Sequence, residues 1–411
     1  MKIPIILVLF LFWYYFEFAY SQSYNAIFSF GDSMSDTGNL CVNGNPSSIT
    51  MAQPPYGETF FGKPTCRSSN GRLVIDFLAE AFSLPLLPPS KASGSDFGKG
   101  ANMAIIGATA SDSSFLQSIG LGSKIWNNGP FDTQIQWFQQ LMPTFCTSSQ
   151  DCQDYLSKSL FVVGELGGND YNAALFAGWS PDKTSTYTPQ VVQYIYNGVE
   201  KLIGLGAVDI VVPGVLPIGC FPIYLTIFQS SNQGDYDQIG CLKKFNDLSS
   251  YHNKLLKQAL SKLQSKYSST RIMYGDYYDQ VYQMVQSPQS FGLTYSLKVC
   301  CGASGQSSYN YNNDARCGMS GASACPDPQD YLSWDGIHLT ETAYQSIANG
   351  WLKDLFTRND QLCTVDDPSK CDYSWHKYNP ASLYQFSSVV RVSVILKLVF
   401  VCIGVVALVI P

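Results

Sequence analysis

The chain is poor in histidine: only His252, His338 and His376 occur in 411 residues. Few side chains therefore compete for any role that needs a base near neutral pH. Charge is scarce as well, with 14% Asp, Glu, Lys and Arg and a net charge of -6. No Lys/Arg cluster creates a local basic surface, which argues against nucleic-acid binding. Paired Cys-x-x-Cys spacing is missing, and no histidine falls among Cys300, Cys301, Cys317 and Cys325, so a zinc ribbon is not expected and no cofactor is. No Asn-x-Ser/Thr acceptor exists, because Asn45-Pro46-Ser47 is blocked by its proline. Linkers, internal repeats and low-complexity tracts are also missing, so length alone does not divide the chain into domains.

What is present begins with a leader. Lys2, an apolar run from Ile3 to Phe16 and the small-residue site Ala19-Tyr20-Ser21 have the form of a secretory signal cleaved after Ser21. Setting aside Cys402, 12 of the 13 cysteines remain, an even number that fits disulfides in an oxidising compartment. Local spacing pairs Cys146 with Cys152 and Cys363 with Cys371, while Cys220, Cys241, Cys300, Cys301, Cys317 and Cys325 form a later group of open connectivity. At the other end, residues 387–411 carry an almost wholly apolar stretch, Val392 to Ile410, broken by Lys397. A lipid-anchor signal removed from the mature chain, a retained membrane helix and an incidental tail all remain open for it. Residues 22–386 between leader and tail read as one domain.

Within that domain, continuous apolar strands alternate with amphipathic helices. Strands are expected at Ala26 to Phe30, Leu160 to Val163, Ala207 to Val212 and Arg271 to Tyr274. Helices are expected from Gly71, from Thr188-Pro189 to the glycines 204 and 206, over Asn246 to Lys266, and from a Thr340 cap to about Phe356. Strands that are apolar throughout belong to a parallel sheet covered on both faces. Reacting groups in such sheets collect beyond the carboxyl ends of the strands.

Ser33 stands there, just past the first strand, in Phe30-Gly31-Asp32-Ser33. A serine hydroxyl needs a base within hydrogen-bond reach and a third group to orient that base. His252 lies in a helical stretch and reads as a packing or surface histidine, and His376 as a surface one, so the base by elimination is His338. Asp335, three residues earlier in Trp334-Asp335-Gly336-Ile337-His338, can hold its imidazole in one tautomer. Two glycine-rich pieces, Gly100 to Ala108 and Gly167-Gly168-Asn169-Asp170, offer donors for an oxyanion.

These four blocks, in this order, resemble the plant branch of the GDSL esterase/lipase family within the SGNH hydrolase superfamily. Pro54-Pro55-Tyr56-Gly57, Val215-Leu216-Pro217-Ile218-Gly219-Cys220 and Phe245-Asn246-Asp247-Leu248 add to the likeness, most of all to the subgroup of acetylajmalan and sinapine esterases. The resemblance implies a three-layer α/β/α fold around a parallel sheet. It also implies Ser33 as nucleophile, His338 as base, Asp335 as its orienter, and an oxyanion hole from the Ser33 and Gly107 amides with the Asn169 side chain. The chain departs from the family pattern at Met34, where leucine is usual, at Cys66 and Asn70, where glycine and aspartate are common, and in its apolar tail. Ser33 is followed by Met34-Ser35, so the Gly-x-Ser-x-Gly elbow of the α/β-hydrolases is not formed.

The expected reaction is hydrolysis of a carboxylic ester of a small plant metabolite (an alkaloid, phenolic or choline ester) or of a lipid, through an acyl-Ser33 intermediate. The alternatives are transfer of the same acyl group to a hydroxyl acceptor and a non-catalytic binding protein. The expected location is the secretory pathway, ending in the apoplast or vacuole, with membrane association resting on the tail.

Overall fold

The computed structural model describes residues 24–43, 46–124, 129–303, 305 and 307–357. The leader, His376, the Cys363 and Cys371 pair, Cys402 and the apolar tail lie outside the described residues. Among the described residues no helix is long and apolar enough to cross a membrane.

Five strands form the central sheet: β1 (Ile27–Phe30), β2 (Gly100–Asn102), β3 (Leu160–Val163), β4 (Asp209–Pro213) and β5 (Arg271–Gly275), in the order β2-β1-β3-β4-β5. All neighbours are parallel. Every residue of β1 and β3 is buried, as strands covered on both faces must be. The helices that position the site or cover the sheet are, in chain order, α1 (Asn39–Asn43), α2 (Val74–Ala81), α3 (Phe131–Leu141), α4 (Gly168–Leu175) and α5 (Thr188–Leu205). They continue with α6 (Pro222–Ile227), α7 (Lys243–Lys266), α8 (Tyr278–Gln286) and α9 (Glu341–Thr357).

Helices α3, α5 and α7 pack together, and so do α2, α8 and α9. On the first group's side Phe28 and Phe30 of β1 meet Phe138 edge-on. On the second, the backbone of Gly275 in β5 lies against Trp351 of α9. The result is the expected α/β/α sandwich. Burying aromatic rings such as Phe28 and Trp351 contributes about 1.5–3 kcal/mol each.

Four of the five strands stand where apolar runs predict them. The edge strand β2 does not announce itself, because Gly100-Ala101-Asn102 has no β-branched residue; its pairing with β1 makes it a strand. Gly167-Gly168-Asn169 is more than a turn: Gly167, at φ 117°, caps α4, and Asn169 stands in its first turn. A Cβ at Gly167 would lie 2.8 Å from the His252 ring, so both the positive φ and the close packing require glycine.

Disulfides join Cys41 to Cys66, Cys146 to Cys152, Cys220 to Cys241, Cys300 to Cys325 and Cys301 to Cys317. The Cys146 pairing follows its spacing. Cys66, in a family position where glycine is common, has φ 64°, a left-handed conformation that explains the usual glycine. Here the bond to Cys41 anchors that loop to α1. Asn70, where aspartate is common, accepts from the Glu341 amide at 2.8 Å and so holds the start of α9.

Candidate active site

The sheet order reverses between β1 and β3, and the loops after both strands border the same crevice. Gly31 ends β1 at φ 144°, with the Gly164 carbonyl so near that a Cβ would lie 2.8 Å from its oxygen. Gln134 of α3 fixes this peptide on both sides, accepting from Gly31 N–H at 2.9 Å and donating to its carbonyl at 2.8 Å. Asp36 then gathers the chain: its carboxylate accepts from the amides of Gly38 and Asn39, which begin α1, and from Ile106 beside Gly107. One buried side chain thus ties the serine loop to the glycine block.

The segment after a sixth strand, β6 (Tyr331–Ser333), brings the other two groups. Asp335 Oδ1 accepts from the amides of Ile337 at 3.0 Å and His338 at 2.8 Å, a tight turn that explains the Asp-x-x-His spacing. Oδ2 accepts from His338 Nδ1 at 2.7 Å, and His338 Nε2 lies 2.8 Å from Ser33 Oγ. Asp335, His338 and Ser33 thus form one hydrogen-bonded line, and all three are buried. Thr340 Oγ1 accepts from the Ala343 amide at 3.4 Å, which makes Thr340 the cap of α9.

Tyr56 lies in the family-like stretch Pro54-Pro55-Tyr56-Gly57. Its hydroxyl donates to Asp335 Oδ2 at 2.8 Å, on the oxygen that also holds the imidazole. It packs in a cluster with Trp334 and the disulfide residues Cys300, Cys301 and Cys317. No motif signals this role, because the contact crosses 279 residues. Tyr56→Phe is expected to lower kcat about 10-fold with KM little changed, the loss of one hydrogen bond to a charged acceptor. Steady-state kinetics on any turned-over ester checks it, and an unchanged kcat would mean that the turn amides alone orient Asp335.

The groups expected as oxyanion donors are placed unequally. The backbone amides of Ser33 and Gly107 donate no hydrogen bond among the described residues. Asn169 Nδ2 instead donates to Asp32 Oδ2 at 2.8 Å and to the Ala108 carbonyl at 2.9 Å. Asp32 was not singled out from the sequence, being hidden as the acid beside the serine. It holds the Asn169 carboxamide toward the Ser33 loop. His252, which reads as a packing or surface histidine, is buried on α7 with Nδ1 2.7 Å from the Tyr171 hydroxyl.

Burial dominates the electrostatics. It would raise the Asp335 carboxyl, but the charge of His338 and the hydrogen bonds from the His338 ring and the turn amides hold it at about 2. Burial would likewise lower His338, and the charge and hydrogen bond of Asp335, with Asp32 behind, lift it above the usual histidine value. Asp32 is pushed by burial to about 7, Asp36 and Asp170 to about 6, and Glu165 well above the carboxylate range.

These raised carboxyls set the pH dependence of stability. The unfolded chain ionises them from about pH 4 upward, while the fold keeps them protonated to about pH 6 or 7, so the native state loses stability as pH rises through that window. Burial lowers His252 to about 3, which acts oppositely and removes stability as pH falls below about 6.5. The low Asp335 value adds stability that is lost only below about pH 4, and the raised His338 adds some that is lost as pH rises through its folded value. The raised carboxyls, with Asp276 raised by burial to about 6 and Asp354 to about 7, outnumber the one lowered histidine and predict a higher Tm near pH 5.5 than near pH 8, by several degrees. Calorimetric scans at the two pH values check this, and the reverse order would contradict the burial of these groups.

A buried imidazole held by a carboxylate on one side and facing a serine on the other, with free backbone amides alongside, has the parts that acyl transfer requires. The surface cavities lined by Pro181, Lys244 and Tyr251 and by Asp132, Lys201 and Leu205 include none of these residues. Residues 27–351 match the family described as GDSL-like Lipase/Acylhydrolase. The chain is 44% identical over 341 residues to a GDSL esterase/lipase of Arabidopsis thaliana, spanning 81% of this chain and 91% of that protein. It is 42% identical over 337 residues to the sinapine esterase of Brassica napus, spanning 80% and 85%. A solved phospholipase A1 from Streptomyces albidoflavus aligns at 13% identity and a TM-score of 0.35, over 82% of this chain and 100% of that one. By the family match and these plant relatives, the chain belongs to the GDSL esterase/lipase family and is a carboxylic ester hydrolase.

Proposed function

We propose that the protein hydrolyses the ester of a small plant metabolite through an acyl-Ser33 intermediate. His338 accepts the Ser33 proton as Oγ attacks the carbonyl carbon and later returns it to the departing alcohol. Asp335 keeps Nδ1 protonated and stabilises the imidazolium. The Ser33 and Gly107 amides, with the Asn169 carboxamide, receive the oxyanion. Water, activated by the same imidazole, then releases the acid. The observation that carries this reading is the line of 2.7 Å and 2.8 Å contacts from Asp335 through His338 to Ser33.

A metabolite ester is favoured over other substrates by the 42% identity to a protein named sinapine esterase. Passage through the secretory pathway is supported by five disulfides among the described residues, bonds that persist in oxidising compartments. The reading assigns the reaction to one domain, residues 22–386.

Rapid quenching of the protein with an activated aryl ester, followed by peptide mass analysis, tests the intermediate. The acyl group is expected on the peptide that contains Ser33, and acylation elsewhere would refute the assignment. The same substrate gives a pH profile: kcat/KM is expected to fall on the acid side through an apparent pKa above about 6.5, because the base must be neutral and its imidazolium is stabilised. An acid limb below that value would remove His338 from the role.

A further inference from the structure

Ser33, Asp335 and His338 are buried, whereas Gly107, Asn169, Asn172 and Ile337 around them are only half-buried. Approach to the Ser33 hydroxyl is therefore across this rim. From the rim, α4 leads outward: Asn169, Asn172 and Phe176 at its C-cap are spaced by three and four residues and share one helix face. Asn172 Nδ2 donates to Asn169 Oδ1 at 3.4 Å, and its own Oδ1 accepts from the Tyr224 hydroxyl of α6. On its other side α6 is tied to the loop between Asp335 and His338, where Ile223 N–H donates to the Gly336 carbonyl at 3.2 Å. The outer end of α6 thus flanks the path to the serine.

Three aromatic rings occupy that end. Phe176, Tyr224 and Phe228 have centroids 5.8 to 5.9 Å apart and planes within 19° to 26° of one another. Tyr224 is 2% exposed, but Phe176 is 42% and neighbouring Ile227 is 43% exposed, among the few large apolar side chains left in solvent. Rings that cage an ammonium turn their faces to a common centre. Near-parallel rings make an offset-stacked apolar platform instead, to which the partly exposed ring of Phe176 can add one more planar ring.

We propose that Phe176 and Phe228 form a stacking subsite for an aromatic ring carried by the substrate ester. The proposal rests on the acyl-Ser33 reading. Seven residues of helix separate Asn169 from Phe176, about 10 Å along the axis. An ester with one ring on a short spacer spans that distance, and an acetyl group does not.

Two matched pairs test it: ethyl 3-phenylpropanoate against ethyl propanoate, and 3-phenylpropyl acetate against propyl acetate. Phe176→Ala is expected to lower kcat/KM about 10-fold for the ring-bearing member of at least one pair and to leave the ring-free member unchanged. The affected pair identifies the acyl or the alcohol side as the one that stacks, and Phe176→Trp is expected to restore the preference. An equal loss on ring-bearing and ring-free esters would show that Phe176 only supports α4, and no loss in either pair would remove the subsite; both overturn the proposal. So would a larger loss on acetylcholine, which would make the platform a cation site.

Calorimetric titration of Ser33→Ala with ethyl 3-phenylpropanoate and 3-phenylpropyl acetate reads the subsite without turnover. The Kd of the stacking ester is expected to weaken about 10-fold when Phe176→Ala is added. An unchanged Kd for both overturns the subsite, whereas turnover persisting in Ser33→Ala fails the acyl-Ser33 reading separately.

Discussion

Ser33→Ala is expected to fold normally and to lose ester hydrolysis, with kcat falling on the order of 10⁵- to 10⁶-fold. Among the described residues, the hydrogen bond of the Ser33 side chain that the substitution removes is the one with His338 Nε2. The loss to stability is that of one hydrogen bond, about 1 kcal/mol. The loss to reaction is of another order, because without Oγ no acyl-enzyme forms and water must attack unaided. What remains is the contribution of the oxyanion donors and of binding. The measurement is kcat on one aryl ester for both proteins prepared in parallel, with Tm as the control for folding. Equal rates would show that turnover does not pass through Ser33.

Asp335→Asn is expected to lower kcat about 10⁴-fold while KM changes little. The reason lies in the number of donors that converge on this carboxylate. Oδ1 accepts two turn amides, and Oδ2 accepts His338 Nδ1 and the Tyr56 hydroxyl. An ionised carboxyl is acceptor-only, whereas an amide has an NH₂ at one end. If that end faces the turn, it opposes two N–H groups and the Asp-x-x-His loop opens. If it faces the ring, Nδ1 becomes the acceptor and the remaining proton moves to Nε2, where it faces Ser33 and cannot be exchanged for the serine's own. Steady-state kinetics with the imidazole resonances followed by NMR would check both. A kcat within about tenfold of wild type would place the orienting function elsewhere.

Much of this was legible locally. Apolar runs such as Leu160-Phe161-Val162-Val163 can be buried on both faces only in a covered parallel sheet, so the sandwich follows from composition and period. The spacing of Asp335 and His338 is a property of one turn, closed by its own amides, and it too can be read from a few residues. The scarcity of histidine then left His338 as the candidate base without any knowledge of distance. Thr340, as the cap of the last helix, was equally local.

Other features required the chain to meet itself. Gly100-Ala101-Asn102 has no strand propensity and becomes β2 through pairing with β1. Asp32 could be read as the neighbour of a serine, but only the approach of α4 gives it Asn169 to hold. Tyr56 reaches Asp335 across 279 residues of chain, and a lone tyrosine carries no periodic or spacing signal. The outward rings Phe176, Tyr224 and Phe228 lie on or at the ends of α4 and α6, two short helices with no motif that marks the rings.

The sequence by itself therefore determined which three residues form the serine line and the acyl chemistry open to them, because candidate nucleophile, base and orienter sit in short motifs whose chemistry depends on residue type and local turns. Tertiary structure alone decided how the site is supported and what borders it: Tyr56 on the carboxylate, Asp32 on the amide and the rings beside the rim. These depend on side chains brought together from distant segments by packing and burial, and no local pattern encodes such a meeting.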